Sequence, residues 1–209
     1  MRNFDKIYER VAWGHEGNGS GTGSMMHTTE NVRSLFENLI ENHGVRRIVD
    51  VSVGGMLWWP TVLEKYPEVE FYGYDISLLK IKENKEKFSD KPNWHFYFSD
   101  VTTRKEYPES DLLICRHTLN HLTSADVIKA IQNLKNAKTK ILALTQHPID
   151  ELNKEELIIA DEPGCINYRP INLMVPPISM EDPWMEIDDA DAEDVQIEWQ
   201  RKFSLWKRS

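Results

Sequence analysis

Five short runs dominate the middle of the chain: RRIVDVSV, VEFYGYD, NWHFYFSD, SDLLICR and TKILALTQ. Each has strand length and is rich in β-branched, aromatic or other apolar residues. Helical patterns over residues 60–65, 77–88 and 124–134 separate several of them. Strands alternating with helices require crossover connections, which favour a mostly parallel sheet covered on both faces. Short, right-handed crossovers make the expected fold class α/β, with a doubly wound sheet. The closing VQIEWQRKFSLWKR alternates apolar and polar residues. That pattern adds one or two late antiparallel strands.

Three further segments flank this core. Residues 1–12 place Phe4, Ile7, Tyr8 and Val11 at helical spacing, and residues 14–24, GHEGNGSGTGS, carry five glycines. Residues 29–42 align Val32, Leu35, Phe36, Leu39 and Ile40 on one face, a helix for which Thr28 or Thr29 is the expected cap. After His147 the periodicity weakens and prolines accumulate. EDPWMEIDDADAED holds eight carboxylates and no basic residue. The expected division is therefore 1–43, a helical segment with a glycine-rich loop; 44–147, the core; 148–194, a lid or insertion; and 195–209, a terminal strand completing the sheet.

The 209 residues suffice for one sizeable core. A net charge of −9 argues against a broad nucleic-acid surface. No apolar run approaches membrane-spanning length. MRNFDKIYER has no apolar signal segment, and two cysteines make no disulfide framework, so the cytoplasm is the expected compartment. Oligomeric state is not encoded in any pattern found.

The first strand ends in two glycines, IVDVSVGG. Residues without Cβ let the chain turn sharply and let a ligand approach the backbone. Asp75 ends the next strand 20 residues after Gly55, where a carboxylate can accept from both ribose hydroxyls. Asp100 ends the third strand and suits an exocyclic amine, with the backbone of Val101 beside a ring nitrogen. Two acids at successive strand ends, with the glycine turn, point to a nucleoside site. The dinucleotide fingerprint G-x-G-x-x-G is not matched by S-V-G-G-M-L, and no G-K-[ST] follows. A nucleoside cofactor without pyrophosphate is therefore expected, and a nicotinamide oxidoreductase is the weaker alternative.

VDVSVGG, YGYD, FYFSD and DLLICRHTLNHL together resemble the successive motifs of class I S-adenosylmethionine-dependent methyltransferases, with Ser52 and Met56 where that family's first motif usually has glycine. GSGTGS, CRHTLNHL, INYRPINLMVPPI and LWKR are similar to a narrower group with an SGxGS segment ahead of the core. Members of that group more often carry aspartate where this chain has His117. The resemblance implies a Rossmann-like methyltransferase fold and S-adenosyl-L-methionine as cofactor. It places Asp50, Ser52, Gly54 and Gly55 near the methionyl part, with Trp59 beside them. It assigns Asp75 and Ile76 to the ribose, Asp100 and Val101 to adenine, and Cys115 and Arg116 to the next strand tip. The loop with Ser20, Gly21, Thr22 and Ser24 would close over the methionyl carboxylate, paired with Arg33.

Methyl transfer needs an aligned nucleophile, and a base where the acceptor is a hydroxyl. His117 and His147 are the candidate bases. His121, Tyr168, Arg169 and Asn172 are candidates for holding the acceptor. Three histidines also raise a metal site, but no carboxylates are placed to complete one, so no metal is expected. The expected function is methyl transfer to a small-molecule acceptor, oxygen slightly ahead of nitrogen. The alternatives are a protein or peptide methyltransferase drawn to basic substrates by the acidic run, and a non-catalytic S-adenosylmethionine-binding protein.

Overall fold

The computed structural model describes residues 4–10, 19–149, 153, 169–189 and 200–208. Seven strands form one sheet: β1 (Arg47–Asp50), β2 (Glu70–Asp75), β3 (Trp94–Phe98), β4 (Ser110–Cys115), β5 (Thr139–Gln146), β6 (Met185–Asp188) and β7 (Lys202–Lys207). Their order is β3-β2-β1-β4-β5-β7-β6. The first five pair in parallel, while β7 runs antiparallel to both β5 and β6. The five central strands and the late antiparallel additions are thus as the sequence pattern predicts. The edge strand β6 comes from the acidic run at 181–194, inside the segment expected to be a lid or insertion.

Alternation along the strands divides the core between two faces. Ile48, Leu112, Ile114, Ile141 and Phe203 enter one apolar cluster, and Val49, Leu113, Cys115, Leu142 and Trp206 enter the other. A helix over the first face, α2 (Glu30–Asn42), buries Val32, Leu35, Phe36, Leu39 and Ile40, the stripe that its sequence spacing predicts. Phe36 stacks on Trp59 at 4.9 Å between centroids and meets Phe203 edge-on at 5.8 Å. It thereby joins α2 to α3 (Trp59–Leu63) and to the last strand. The helix α4 (Leu78–Lys87) contributes Ile81 to the same face. The helix α5 (Ser124–Asn136) covers the other face with Val127, Ala130, Ile131 and Leu134.

The helix starts differ from expectation in one place. Ser77 caps α4 by accepting from the Lys80 N–H at 3.2 Å, and Thr123 caps α5. Thr29 holds the N-cap position of α2, yet its hydroxyl donates backward to the Met25 carbonyl at 2.8 Å. Thr28 likewise donates to the Thr22 carbonyl at 2.7 Å. Both hydroxyls therefore fasten the glycine-rich loop to the helix instead of capping it. No described helix is long and apolar enough to cross a membrane.

Phe36 is fully buried among three aromatic rings, so truncation leaves a cavity the rigid indoles cannot fill. Phe36→Ala is expected to lower stability by about 3–5 kcal/mol, read from the urea midpoint at unchanged slope.

Candidate functional site

In the strand order β2-β1-β4, β1 is followed on one side by β2 and on the other by β4, so the connections after β1 and β4 diverge. Open α/β sheets bind ligands in the crevice at such a point. A cavity of about 420 Å³ lies here, a size suited to a small organic molecule. Its floor is the Asp50–Gly54 turn. One end is formed by Asp75, Ile76, Asp100 and Val101, and the other by Arg116, His117, Asn120, His121 and Arg201. Phe4, Tyr8 and Ser20–Ser24 form the roof.

The turn after β1 is built for close approach. Gly54 has φ of +54°, and a Cβ there would stand 2.8 Å from the Ser20 hydroxyl. Its N–H donates to Asp75 Oδ2 at 2.9 Å, while Ser77 N–H donates to Asp75 Oδ1 at 2.8 Å. Asn84 Nδ2 donates to the Gly54 carbonyl at 2.8 Å. The Gly55 N–H donates to the Ser20 hydroxyl at 3.1 Å, so the glycine-rich loop is tied to this turn. The helix α1 (Phe4–Glu9) docks beside it, with Asp5 accepting from the Ser77 hydroxyl at 2.6 Å and from Leu79 N–H at 3.1 Å.

The acids differ in setting. Burial pushes Asp50 up to about 6, opposed by hydrogen bonds from the Trp59 indole (2.8 Å) and Ser52 N–H (2.9 Å). Burial likewise pushes Asp75 up to about 6. Asp100 Oδ1 accepts from Thr102 N–H at 2.8 Å and from its hydroxyl at 2.7 Å.

At the opposite end stands a carboxylate that sequence reasoning missed. Asp189, fully buried just past β6, receives Arg116 at 2.9 and 2.7 Å, His117 Nε2 at 3.0 Å and the Thr145 hydroxyl at 3.0 Å. Burial alone would raise this carboxyl, but Arg116 and the hydrogen bond from His117 hold it well below the usual range. His117 itself is pushed down to about 3 by burial and by Arg116, so its ring is neutral with its hydrogen on Nε2. Its φ of +53° is rare for a residue with Cβ, and its ring packs so closely on Gly23 that a Cβ there would meet Nδ1 at 2.5 Å.

Of the residues singled out by sequence, Gly21, Thr22, Ser24, Asp50, Ser52, Gly54, Asp75, Ile76, Asp100, Val101, Arg116, His117 and His121 line this cavity. Others stand away from it. Trp59 is buried in the aromatic core with its indole N–H on Asp50, and its neighbour Trp58 lines the cavity instead. Gly55 serves the turn from behind, and Cys115 is buried, its thiol kept protonated by burial. Arg33 donates to the Met26 carbonyl at 2.8 Å. His147 is pushed down to about 4 by burial, with Nδ1 accepting from Ile171 N–H at 3.1 Å. Arg169 is buried against the Leu122 carbonyl and the Ser124 hydroxyl, and Asn172 against the Ile149 carbonyl. Tyr168 lies outside the described residues. Among the described residues no group of three or more His, Cys, Asp or Glu has the arrangement of a metal site.

No family model and no curated protein matches the chain. Solved structures do. PigF with SAH is similar at a TM-score of 0.64 and 10% identity, over 99% of this chain and 62% of that one. A putative sarcosine dimethylglycine methyltransferase from Galdieria sulphuraria is similar at 0.53 and 14%, over 74% and 64%. An O-methyltransferase family protein from Burkholderia thailandensis is similar at 0.51 and 12%, over 68% and 45%. This chain therefore spans less than two thirds of each of these three. At such identities the likeness gives the fold, a Rossmann-like methyltransferase fold with late antiparallel strands.

The Trp59 indole favours the ionised form of Asp50, so Trp59→Phe should move that carboxyl above 6. A ¹³C NMR titration of the side-chain carboxyl reads the shift, and an unchanged titration would detach the indole from the electrostatics of the floor.

Proposed function

We propose that this chain transfers a methyl group from S-adenosylmethionine to a small-molecule acceptor. The observation that carries the reading is that Asp75 and Asp100, at the ends of adjacent parallel strands, face one cavity with the Gly54 turn between it and the core. The residues suit that cofactor. Asp75 has backbone N–H groups fixing its carboxylate, which supports a role in accepting from ribose hydroxyls. Asp100 and the backbone of Val101 suit an adenine edge. The Gly54 turn leaves no Cβ in the way, and Gly21, Thr22 and Ser24 overlie the methionyl side. When bound, the cofactor supplies an electrophilic methyl group on a positively charged sulfur.

The chain's own groups supply the rest. Asp50 and Asp75 are buried and are favoured in ionised form by a nearby cation. Phe4, Tyr8 and Ser20–Ser24 line the cavity opposite the Asp50–Gly54 turn, where they would limit the access of water to a bound molecule. His117 is neutral and oriented by Asp189, but an imidazole with so weak a hold on a proton is a poor base. His147 does not line the cavity. Both observations favour a nucleophile that needs no prior deprotonation, which moves the preferred acceptor from oxygen toward nitrogen.

Calorimetry with S-adenosylhomocysteine tests the cofactor assignment, followed by methylation of an amine and hydroxyl panel. Binding in the micromolar range is expected, and no heat at millimolar ligand would end the proposal. Asp75→Asn, checked for native folding by circular dichroism, should weaken that binding by about tenfold or more.

The pH dependence has a definite sign. Below about 6 Asp50 and Asp75 take up protons and their attraction for a cation is lost. Affinity for S-adenosylmethionine should fall as pH drops through 6, more steeply than affinity for S-adenosylhomocysteine, whose sulfur is uncharged. Parallel slopes from about pH 8 to 5 would place the positive sulfur away from these carboxyls.

A further inference from the structure

Among the residues that line the cavity, Asn120 carries a buried side-chain oxygen with no hydrogen-bond partner among the described residues. Asn120 is 2% exposed and sits in the 3₁₀ turn Leu119–His121 that follows β4. Its amide nitrogen stands 3.2 Å from His121 Nε2, so the amide donates to that ring nitrogen. Its Oδ1 has no hydrogen-bond partner among the described residues, although the residue lines the cavity. A buried carbonyl oxygen left without a donor forfeits its hydration with nothing in return, so a fold that keeps one calls for an explanation.

The surroundings hold that oxygen in place. Arg169 N–H donates to the Asn120 carbonyl at 3.1 Å, and the Arg169 guanidinium donates to the Leu122 carbonyl at 3.2 and 3.1 Å. His121 N–H closes the turn on the Thr118 carbonyl at 3.0 Å. The turn is thus braced by one residue, Arg169, whose backbone N–H holds the main-chain carbonyl of Asn120 and whose guanidinium holds that of Leu122. Arg169, expected from sequence to meet the acceptor, instead positions the residue that does so.

Resting on the cofactor reading above, we infer that Asn120 Oδ1 reads the methyl acceptor, accepting a hydrogen bond from an N–H on the nitrogen that receives the methyl group. The acceptor class is a small primary or secondary amine. The hydrogen bond turns the nitrogen lone pair away from Oδ1 and toward the cofactor end of the cavity. Transfer forms the N–CH₃ bond, breaks the S–CH₃ bond, and leaves the electron pair on sulfur. The resulting ammonium releases its proton to water after the step.

Two cofactor analogues test this before the acceptor is identified. Sinefungin carries an amine-bearing carbon where S-adenosylhomocysteine has sulfur, and so presents an N–H donor toward the acceptor side. In the wild-type chain, sinefungin should bind about tenfold tighter than S-adenosylhomocysteine by calorimetry. Asn120→Leu should remove most of that advantage while leaving the S-adenosylhomocysteine dissociation constant within about twofold. Asn120→Asp, which keeps an accepting oxygen, should retain the advantage. Should thermal melting show that Asn120→Leu is unfolded, Asn120→Ala makes the same comparison. An equal ratio of the two affinities in wild type and in the folded truncation overturns the inference. Failure of the wild-type chain to bind S-adenosylhomocysteine overturns the cofactor reading itself and takes this inference with it.

Discussion

The carboxylate of Asp189 is the constraint around which the site is arranged. It is fully buried, and removing a charge from water costs several kcal/mol unless partners replace the lost solvent. Arg116, His117 and Thr145 supply four contacts from the ends of β4 and β5. None of these groups is a neighbour of Asp189 in sequence. The pairing ties the edge strand to two residues that line the cavity, Arg116 and His117, from behind the lining itself. It also anchors the ring of His117 through Nε2, while burial and Arg116, against the pull of Asp189, keep that ring neutral.

The cavity is divided electrostatically. Asp50, Asp75 and Asp100 stand at the ends of β1, β2 and β3, while Arg116 and Arg201 line the other end, with Asp189 holding Arg116 and His117. A cationic group is favoured over the acids and disfavoured beside the guanidiniums. Orientation of a bound molecule is therefore set by charge before any shape is read. The turn at Gly54 lies between the two regimes, where the absence of a side chain lets a ligand span both.

Much of this was legible from residue patterns because it is locally encoded. Strand periodicity, the stripe from Val32 to Ile40, and an acid at each strand tip are properties of consecutive residues, and the fold follows from them. Contacts between distant segments were not legible. Asp189 sits in a run of carboxylates with nothing to distinguish it from Asp188, which is exposed and pairs with Lys202. Only the strand period, placing Asp188 outward and Asp189 inward, separates the two. Trp59 departs from its expected place for a similar reason: the phase of the short helix α3 aims it at Phe36, and sequence adjacency to a glycine turn carries no phase. Arg169 reads as a contact for the acceptor, yet its guanidinium partners are the Leu122 carbonyl and the Ser124 hydroxyl, a pairing that leaves no mark in a sequence.

The strand order also makes one end of the chain answerable to the other. β6 precedes β7 in sequence, but its ladder hydrogen bonds run only to β7, which pairs in turn with β5. Asp188 lies opposite Lys202 in that ladder, one residue before Asp189 meets Arg116 and His117. The register of the final strand is therefore transmitted, through a single edge pairing, to the tip of β4.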